Sequence, residues 1–181
     1  MSDRHLLILD LDETLVYASE SPPPPRVDFT VGPYGVMKRP HVGEFISSVQ
    51  GWFDLAVWTS SGESYARVVV AQLFPRPEDL AFVWCSDRCG IRYDADFGKY
   101  GSTKPLRKLK RQGYMLDRVL VLDDTPAKHA KNYGNLVPIK AFEGDETDDE
   151  LLKVLPFLDR LKAAQNVRRI EKRFWSVPRR A

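Results

Sequence analysis

The sequence predicts an α/β domain with a doubly wound, Rossmann-like sheet that is mainly parallel and has helices on both faces. Five short apolar runs, each bounded by turn or polar residues, have the continuous hydrophobicity of strands buried in a parallel sheet. Helix-like stretches lie between these runs, and such alternation is typical of an α/β fold. The predicted strands cover residues 6–9, 55–58, 81–84, 119–122 and 136–139.

The predicted helices are marked by proline and by apolar spacing. Three of them start at a proline, which suits a first helical turn because no intrahelical partner awaits its missing N–H. The last one repeats leucine along a single face, as an amphipathic helix does. The predicted helices cover residues 40–49, 61–73, 105–111, 126–132 and 148–161.

Two segments depart from this alternation. Residues 21–26 contain four consecutive prolines, which favour an extended polyproline conformation. Residues 27–37 are β-prone around two glycines and predict a small β-hairpin inserted after the first strand. The chain then ends in a basic segment, so we divide it into a domain of residues 1–163 and a basic tail of residues 164–181. The tail is expected to be either solvated or in contact with an acidic partner.

The composition excludes several classes of protein. A chain of 181 residues suits one domain, and 43% hydrophobic with 29% charged residues is typical of a soluble protein. No apolar run approaches the roughly 18 residues of a membrane-spanning helix, and the N-terminus lacks the features of a signal peptide. Two cysteines do not make a disulfide framework. We therefore expect a soluble intracellular protein of the cytoplasm or nucleus, with no membrane partner.

A pair of carboxylates follows the first predicted strand. Asp10 and Asp12 emerge at its carboxyl end, where open α/β sheets bind their ligands. Such a pair can hold a hard cation such as Mg²⁺, or it can divide the work of nucleophile and acid/base. The same residues can also form a solvated turn that caps a helix, and the pair alone leaves both interpretations open.

Three further groups favour the chemical interpretation. A hydroxyl cluster, residues 59–61, follows the second strand, where Thr59 can bind a phosphoryl oxygen or the cluster can cap the next helix. Asp123 and Asp124 repeat the arrangement of acids after a strand, and burying two adjacent acids is costly unless they are paired or bound to metal. Lys104 supplies a cation that can balance these acids and a phosphate.

Together these elements resemble the haloacid dehalogenase superfamily of phosphatases. The resemblance is closer to the branch of the RNA polymerase II carboxy-terminal-domain phosphatases and the NLI-interacting-factor-like phosphatases. Residues 10–16 read DLDETLV, as in the signature of that branch, and the match continues in consistent order over residues 5–160. Its other motifs are KRPHVGEF at residues 38–45, WTSS at 58–61 and VLDDTP at 121–126.

The resemblance implies a role for each group. Asp10 would be the nucleophile that becomes phosphorylated, and Asp12 would protonate the leaving oxygen and then deprotonate the attacking water. Thr59 and Lys104 would hold the phosphoryl oxygens. Members of the branch often have Asn where this chain has Asp124, which leaves the division of roles between the adjacent acids open. Mg²⁺ would be bound by the side chain of Asp10, the main-chain carbonyl of Asp12 and Asp124, with Asp123 in support.

The lengths of the inserts indicate the class of substrate. Superfamily members that act on small metabolites usually carry a cap domain inserted after the first or second motif. The segments of this chain at those two places are too short for a large cap. An open cleft suits a phosphate on a large substrate, so we expect phosphoserine or phosphothreonine of a protein. A nucleic-acid 3′-phosphate, a small phosphate ester, or a non-catalytic binding module of the same fold remain alternatives. The candidate substrate-binding residues are Thr14, Ser60, Tyr65 and Arg88.

Overall fold

The structure is a computed structural model that describes residues 4–94 and 98–176. Within these ranges the helices are α1 (Val42–Trp52), α2 (Glu63–Leu73), α3 (Arg107–Lys110) and α4 (Glu150–Leu161). The strands are β1 (Leu6–Leu9), β2 (Val16–Ser19), β3 (Phe29–Val31), β4 (Tyr34–Lys38), β5 (Asp54–Trp58), β6 (Val83–Trp84), β7 (Gly90–Asp94), β8 (Lys99–Thr103), β9 (Val119–Asp123) and β10 (Leu136–Pro138).

The central sheet has five parallel strands in the order β10-β9-β1-β5-β6. Each of the five apolar runs supplies one of these strands, which confirms the predicted doubly wound sheet. The chain winds outward from β1 in one direction through β5 and β6, then returns to the other side of β1 through β9 and β10. The strand order therefore reverses between β1 and β9, and in such sheets a ligand crevice opens at this switch point.

Helices cover both faces of the sheet, as predicted, but they do so unequally. Leu7 and Leu9 of β1 face the core that α1, α2 and α4 cover. Leu6 and Ile8 face the opposite side, where the short helix α3 contributes Leu109. Aromatic side chains fill much of that side, since the rings of Trp58, Trp84 and Phe82 pack on one another. The helix predicted at residues 126–132 is shorter than expected and consists of a 3-10 turn over Pro126–His129.

Two small antiparallel sheets flank the carboxyl ends of the central strands. The predicted hairpin is present as β3 and β4, and β2 joins it in the order β2-β4-β3. Its turn places Gly32 at φ 56, in the left-handed region that glycine adopts without a steric penalty. A second hairpin, β7 with β8, lies in a stretch for which the sequence predicted neither a strand nor a helix. Within the described residues no large cap domain covers the central sheet.

The described part of the basic tail packs against the domain. Val167 is fully buried. The ring of Trp175 stacks on Phe157 at 6.3 Å between centroids, and its Nε1 donates a hydrogen bond to the Pro138 carbonyl at 2.6 Å. The boundary at residue 163 stays a prediction, and the tail residues Arg179 and Arg180 lie outside the described residues.

A buried ion pair joins the first hairpin to the start of α4. Arg39, directly after β4, donates from Nε and Nη2 to the two carboxylate oxygens of Asp148 at 2.7 and 2.8 Å. Its guanidinium also donates to the main-chain carbonyls of Thr14 and Lys140, each at 3.0 Å. Arg39 therefore joins the turn that follows Asp12 to the segment between β10 and α4.

None of the helices in residues 4–94 and 98–176 combines the length and the hydropathy that a bilayer-crossing segment requires.

Candidate active site

Adjacent strand ends bring three of the predicted acids together. Asp10 follows β1, Asp123 is the last residue of β9, and Asp124 comes next. The backbone N–H of Asp10 donates to the carbonyl of Leu122 at 3.1 Å, which holds the two strand ends side by side. One carboxylate oxygen from each of the three acids lies within 4.8 Å of the others. The acids thus converge at the switch point of the sheet.

Two lysines and a histidine contact the buried acids. Lys104 Nζ lies 2.7 Å from Asp10 Oδ2 and 2.6 Å from Asp123 Oδ2, and its side chain is fully buried. Lys128 Nζ approaches Asp10 Oδ2 at 3.0 Å, while His129 Nε2 lies 2.9 Å from Asp123 Oδ2. Lys128 and His129 were not among the predicted site residues. Their place just after the acids of β9 is the signal that would have pointed to them.

The two buried carboxyls differ in their affinity for a proton. Burial raises the pKa of Asp10 to about 7, although the charges of Lys104 and Lys128 act in the opposite direction. Burial also acts to raise the pKa of Asp123, but the His129 hydrogen bond and the Lys104 charge hold it well below its usual range. Further positive charge beside Asp10 would favour its ionised form, so this geometry suits a bound cation.

Asp12 lies in a different environment from Asp10. It is only partly buried, and hydroxyl groups rather than lysines contact it within the described part of the chain. Ser61 Oγ donates to its Oδ2 at 2.7 Å and Tyr65 OH donates to its Oδ1 at 2.5 Å. Thr59 Oγ1 lies 3.5 Å from Oδ2. Two carboxylates held in such unlike surroundings can take different roles in proton transfer.

The three hydroxyl residues that follow β5, residues 59–61, contact different partners. Thr59 is fully buried, and its Oγ1 accepts the backbone N–H of Ser61 at 3.0 Å and donates to Asp12 Oδ2 over the longer distance of 3.5 Å. The expected side-chain cap of α2 is absent, because Gly62 is the N-cap residue and the Ser61 hydroxyl is turned toward Asp12. Ser60 instead lies 3.3 Å from Ser102 Oγ, on the second hairpin.

Of the remaining predicted substrate-binding residues, Thr14 contacts one of the acids, whereas the described contacts of the Arg88 side chain are with Trp84 and Asp87. Thr14 Oγ1 donates to Asp124 Oδ1 at 3.1 Å and accepts the Asp124 N–H at 3.2 Å, so it orients that carboxylate. Arg88 extends its guanidinium over the Trp84 ring at 5.5 Å and lies 3.6 Å from Asp87. Substrate-binding roles for Thr14, Ser60 and Arg88 stay predictions, and so does that for Tyr65.

The donor set at the strand ends fits a hard cation. Carboxylate oxygens are the ligands that Mg²⁺ prefers, and Asp10, Asp123 and Asp124 offer them within reach of one centre. Asp123 already contacts Lys104 and His129 through Oδ2. Asp124 accepts hydrogen bonds from hydroxyls, those of Thr14 and Thr125, and is therefore the freer of the two adjacent acids for a metal.

Comparison with known proteins gives one consistent result. The model of the NLI interacting factor-like phosphatase family matches residues 5–168. A CTD nuclear envelope phosphatase 1 homolog of Drosophila melanogaster is 33% identical in an alignment 182 residues long, and the match covers 92% of this chain and 71% of the fly protein. The human carboxy-terminal domain RNA polymerase II polypeptide A small phosphatase 1 is 33% identical over 174 residues, covering 92% of this chain and 62% of the human protein.

The solved structures show that the fold is shared. The fission yeast RNA polymerase II CTD phosphatase Fcp1, bound to beryllium fluoride, superposes with a TM-score of 0.58 at 22% sequence identity. The match covers 77% of this chain and 42% of the Fcp1 chain. A second Fcp1 structure superposes over 87% of this chain with a TM-score of 0.59.

Proposed function

This chain belongs to the NLI interacting factor-like phosphatase family, and we propose that it removes phosphate from phosphoserine or phosphothreonine of a protein. It is a phosphoric monoester hydrolase with a haloacid dehalogenase-like fold. The observation that carries the proposal is the position of Asp10. Its carboxylate lies between two lysines and beside Asp124, while Asp12 stands apart among hydroxyls.

The proposed reaction has two steps. In the first, an oxygen of Asp10 forms a bond to phosphorus, the bond from phosphorus to the ester oxygen breaks, and Asp12 donates a proton to the departing oxygen. In the second, Asp12 takes a proton from water while the water oxygen attacks phosphorus, and the Asp10–phosphorus bond breaks to release inorganic phosphate. Lys104, Lys128 and the Thr59 hydroxyl stabilise the charge of the phosphoryl oxygens.

We propose Mg²⁺ as the resident metal, held by Asp10 and Asp124, with Asp12 contributing its main-chain carbonyl and Asp123 in support. When bound, Mg²⁺ supplies positive charge that offsets repulsion between the carboxylates and the phosphate. The residues of the chain align the reactants, since phosphoryl transfer depends chiefly on positioning and on electrostatic stabilisation. The hydrogen bonds from Thr14 and Thr125 hold Asp124 ready for this role.

The open cleft supports a protein substrate. The described residues place two short hairpins beside the acids and no large cap above them, so a phosphate carried by a protein segment can approach. The human relative is named as a phosphatase of the RNA polymerase II carboxy-terminal domain, which also supports a phosphoprotein as substrate. The free thiols of Cys85 and Cys89 suit the predicted intracellular location, which stays a prediction.

A substrate panel tests the proposed function. We expect the purified protein to hydrolyse phosphoserine and phosphothreonine peptides in the presence of Mg²⁺ and to lose this activity with a chelator, because the acids at the strand ends then repel the phosphate. Added Mg²⁺ should restore the rate. Phosphate release is measured for phosphopeptides, a 3′-phosphorylated oligonucleotide and sugar phosphates under the same conditions.

The panel can also contradict the proposal. A preference of two orders of magnitude for sugar phosphates or for the oligonucleotide would replace the protein substrate with that class. Full activity in chelator would remove the metal from the mechanism. Absence of hydrolysis across the whole panel would revive the non-catalytic alternative.

The Tyr65 hydroxyl gives a test of how Asp12 is positioned. Tyr65→Phe removes the hydrogen bond to Asp12 Oδ1 and keeps the ring that packs edge-on against Tyr34 at 6.3 Å. We expect kcat on an aryl phosphate to decrease by roughly 10- to 150-fold, which corresponds to the loss of about 1.5–3 kcal/mol for one hydrogen bond to a charged group, with little change in KM. Tyr34→Phe is the matched control, because the Tyr34 hydroxyl forms no hydrogen bond with another described residue. Equal rates for the two variants would exclude the positioning role.

A further inference from the structure

A groove opens beside the acids, between the second hairpin and the segment that follows Asp124. It has a volume of about 270 Å³. Lys128 lines it and also contacts Asp10 Oδ2 at 3.0 Å, so one side chain in the wall of the groove reaches the proposed nucleophile. Thr103 and Pro105, the chain neighbours of Lys104, form part of its wall. A substrate segment next to the reacting phosphate would therefore pass along it.

The groove is lined by positive charge. Its ionisable side chains are those of Arg92, Arg107, Lys128 and Lys131, and no acidic residue of the described chain lines it. Arg92, Arg107 and Lys131 are exposed and form no ion pair with another described residue. The whole chain has nearly equal numbers of basic and acidic residues, 27 and 25. Lys128 is paired with Asp10, but the other three cations lie together in the groove with no acid beside them in its described lining, so they are a local concentration of positive charge.

We propose that this groove binds a second anionic group of the protein substrate, near in sequence to the phosphorylated residue. The inference rests on the proposed function and adds a preference among phosphoproteins. The anion is a carboxylate side chain or a second phosphate, since arginine donates paired hydrogen bonds to both. The small volume of this groove suits one or two amino-acid side chains. Proteins that bind single-stranded nucleic acid have instead an extended groove that runs along the nucleic-acid backbone.

Three phosphopeptides test the proposal. All of them contain the same phosphoserine. In each of two series, one for each side of the phosphoserine, the flanking residue is neutral, a glutamate or a second phosphoserine. We expect kcat/KM to be roughly tenfold higher for at least one anionic flank than for the neutral peptide at low ionic strength. The advantage should shrink at high salt, because exposed charges are screened.

Charge-matched variants assign the preference to the groove. The ratio compared is kcat/KM for the peptide with the anionic flank divided by kcat/KM for the neutral peptide. Arg92→Gln combined with Arg107→Gln and Lys131→Gln should bring this ratio close to one. The control combines Lys110→Gln, Arg111→Gln and Arg169→Gln, which removes the same charges from exposed positions outside the groove. The control should keep the wild-type ratio. The single variant Arg107→Gln should reduce the ratio partially, which serves as a second test if the triple variant folds poorly.

The outcomes separate this inference from the proposed function. Hydrolysis of all the peptides at equal rates would overturn the groove assignment and leave the phosphatase function intact. An equal loss of the ratio in the groove and control variants would also overturn it, because total charge alone would then explain the effect. A larger effect of the groove variant on a 3′-phosphorylated oligonucleotide would assign the groove to nucleic acid instead. Failure to hydrolyse any phosphopeptide would overturn both.

Discussion

Replacing Asp10 with asparagine is expected to lower kcat/KM on an aryl phosphate by roughly 10⁴-fold or more, as loss of a covalent nucleophile generally does. The amide has nearly the same size as the carboxylate, so the packing at the end of β1 is preserved. It cannot form the bond to phosphorus. The two lysines would still attract the phosphate, so the loss should appear in kcat rather than in KM.

Steady-state rates and a trapping assay measure this effect. Beryllium fluoride with Mg²⁺ is expected to raise the melting temperature of the wild-type protein, because it mimics a phosphoryl group on the carboxylate, and to have no effect on Asp10→Asn. Asp159→Asn is the control, since Asp159 is exposed on α4 and pairs with Lys162 away from the acids. A pure Asp10→Asn protein that retains more than roughly one hundredth of the wild-type rate would contradict the nucleophile assignment.

The family resemblance implied that Asp10 and Asp123 belong to one site. Their positions after two predicted parallel strands agree with this, because the carboxyl ends of parallel strands lie at one edge of a sheet. The order of the elements alone does not say that these two strands are neighbours. Lys104 is separated from Asp123 by α3 and a loop, so its contact with both acids was expected from the need for charge balance and from the family resemblance.

Other contacts depend on tertiary geometry that spacing does not report. Lys128 reaches Asp10 because residues 126–129 form a tight 3-10 turn instead of the predicted longer helix. The Ser61 hydroxyl turns toward Asp12, whereas position before a helix predicts capping. The hairpin of β7 and β8 exposes Ile91 and Tyr100, so it lacks the alternation of buried and exposed residues by which a strand is recognised.

Arg39 shows why the support of a site is harder to predict than its reacting groups. Its partner Asp148 lies 109 residues away, and nothing in the local sequence connects them. The resemblance includes Arg39 within a motif but does not say what it contacts. In the structure it donates to the Thr14 carbonyl, and the Thr14 hydroxyl in turn holds Asp124. The stability of the fold and the position of the proposed metal ligand Asp124 therefore depend on the same guanidinium.

Arg39→Met is expected to lower the free energy of unfolding by about 3–5 kcal/mol, the usual cost of breaking a buried ion pair by removing one partner. The Arg39 side chain is fully buried and that of Asp148 is only 6% exposed. Methionine fills much of the arginine volume, so the main effect is a buried carboxylate without its cation. Urea denaturation monitored by circular dichroism measures the change.

Two further variants make the Arg39 result specific. Arg26→Met removes the Arg26–Asp28 pair, whose side chains are 46% and 26% exposed, and it should cost no more than about 1 kcal/mol because water already solvates both charges. Adding Asp148→Leu to Arg39→Met should recover part of the loss, since no buried charge is then left unpaired. Two results would contradict this explanation: a loss of unfolding free energy in Arg39→Met no larger than that in Arg26→Met, or a double variant that is less stable than Arg39→Met alone. Either result would show that the unpaired carboxylate is not the cause, and packing around the guanidinium would then have to explain the stability.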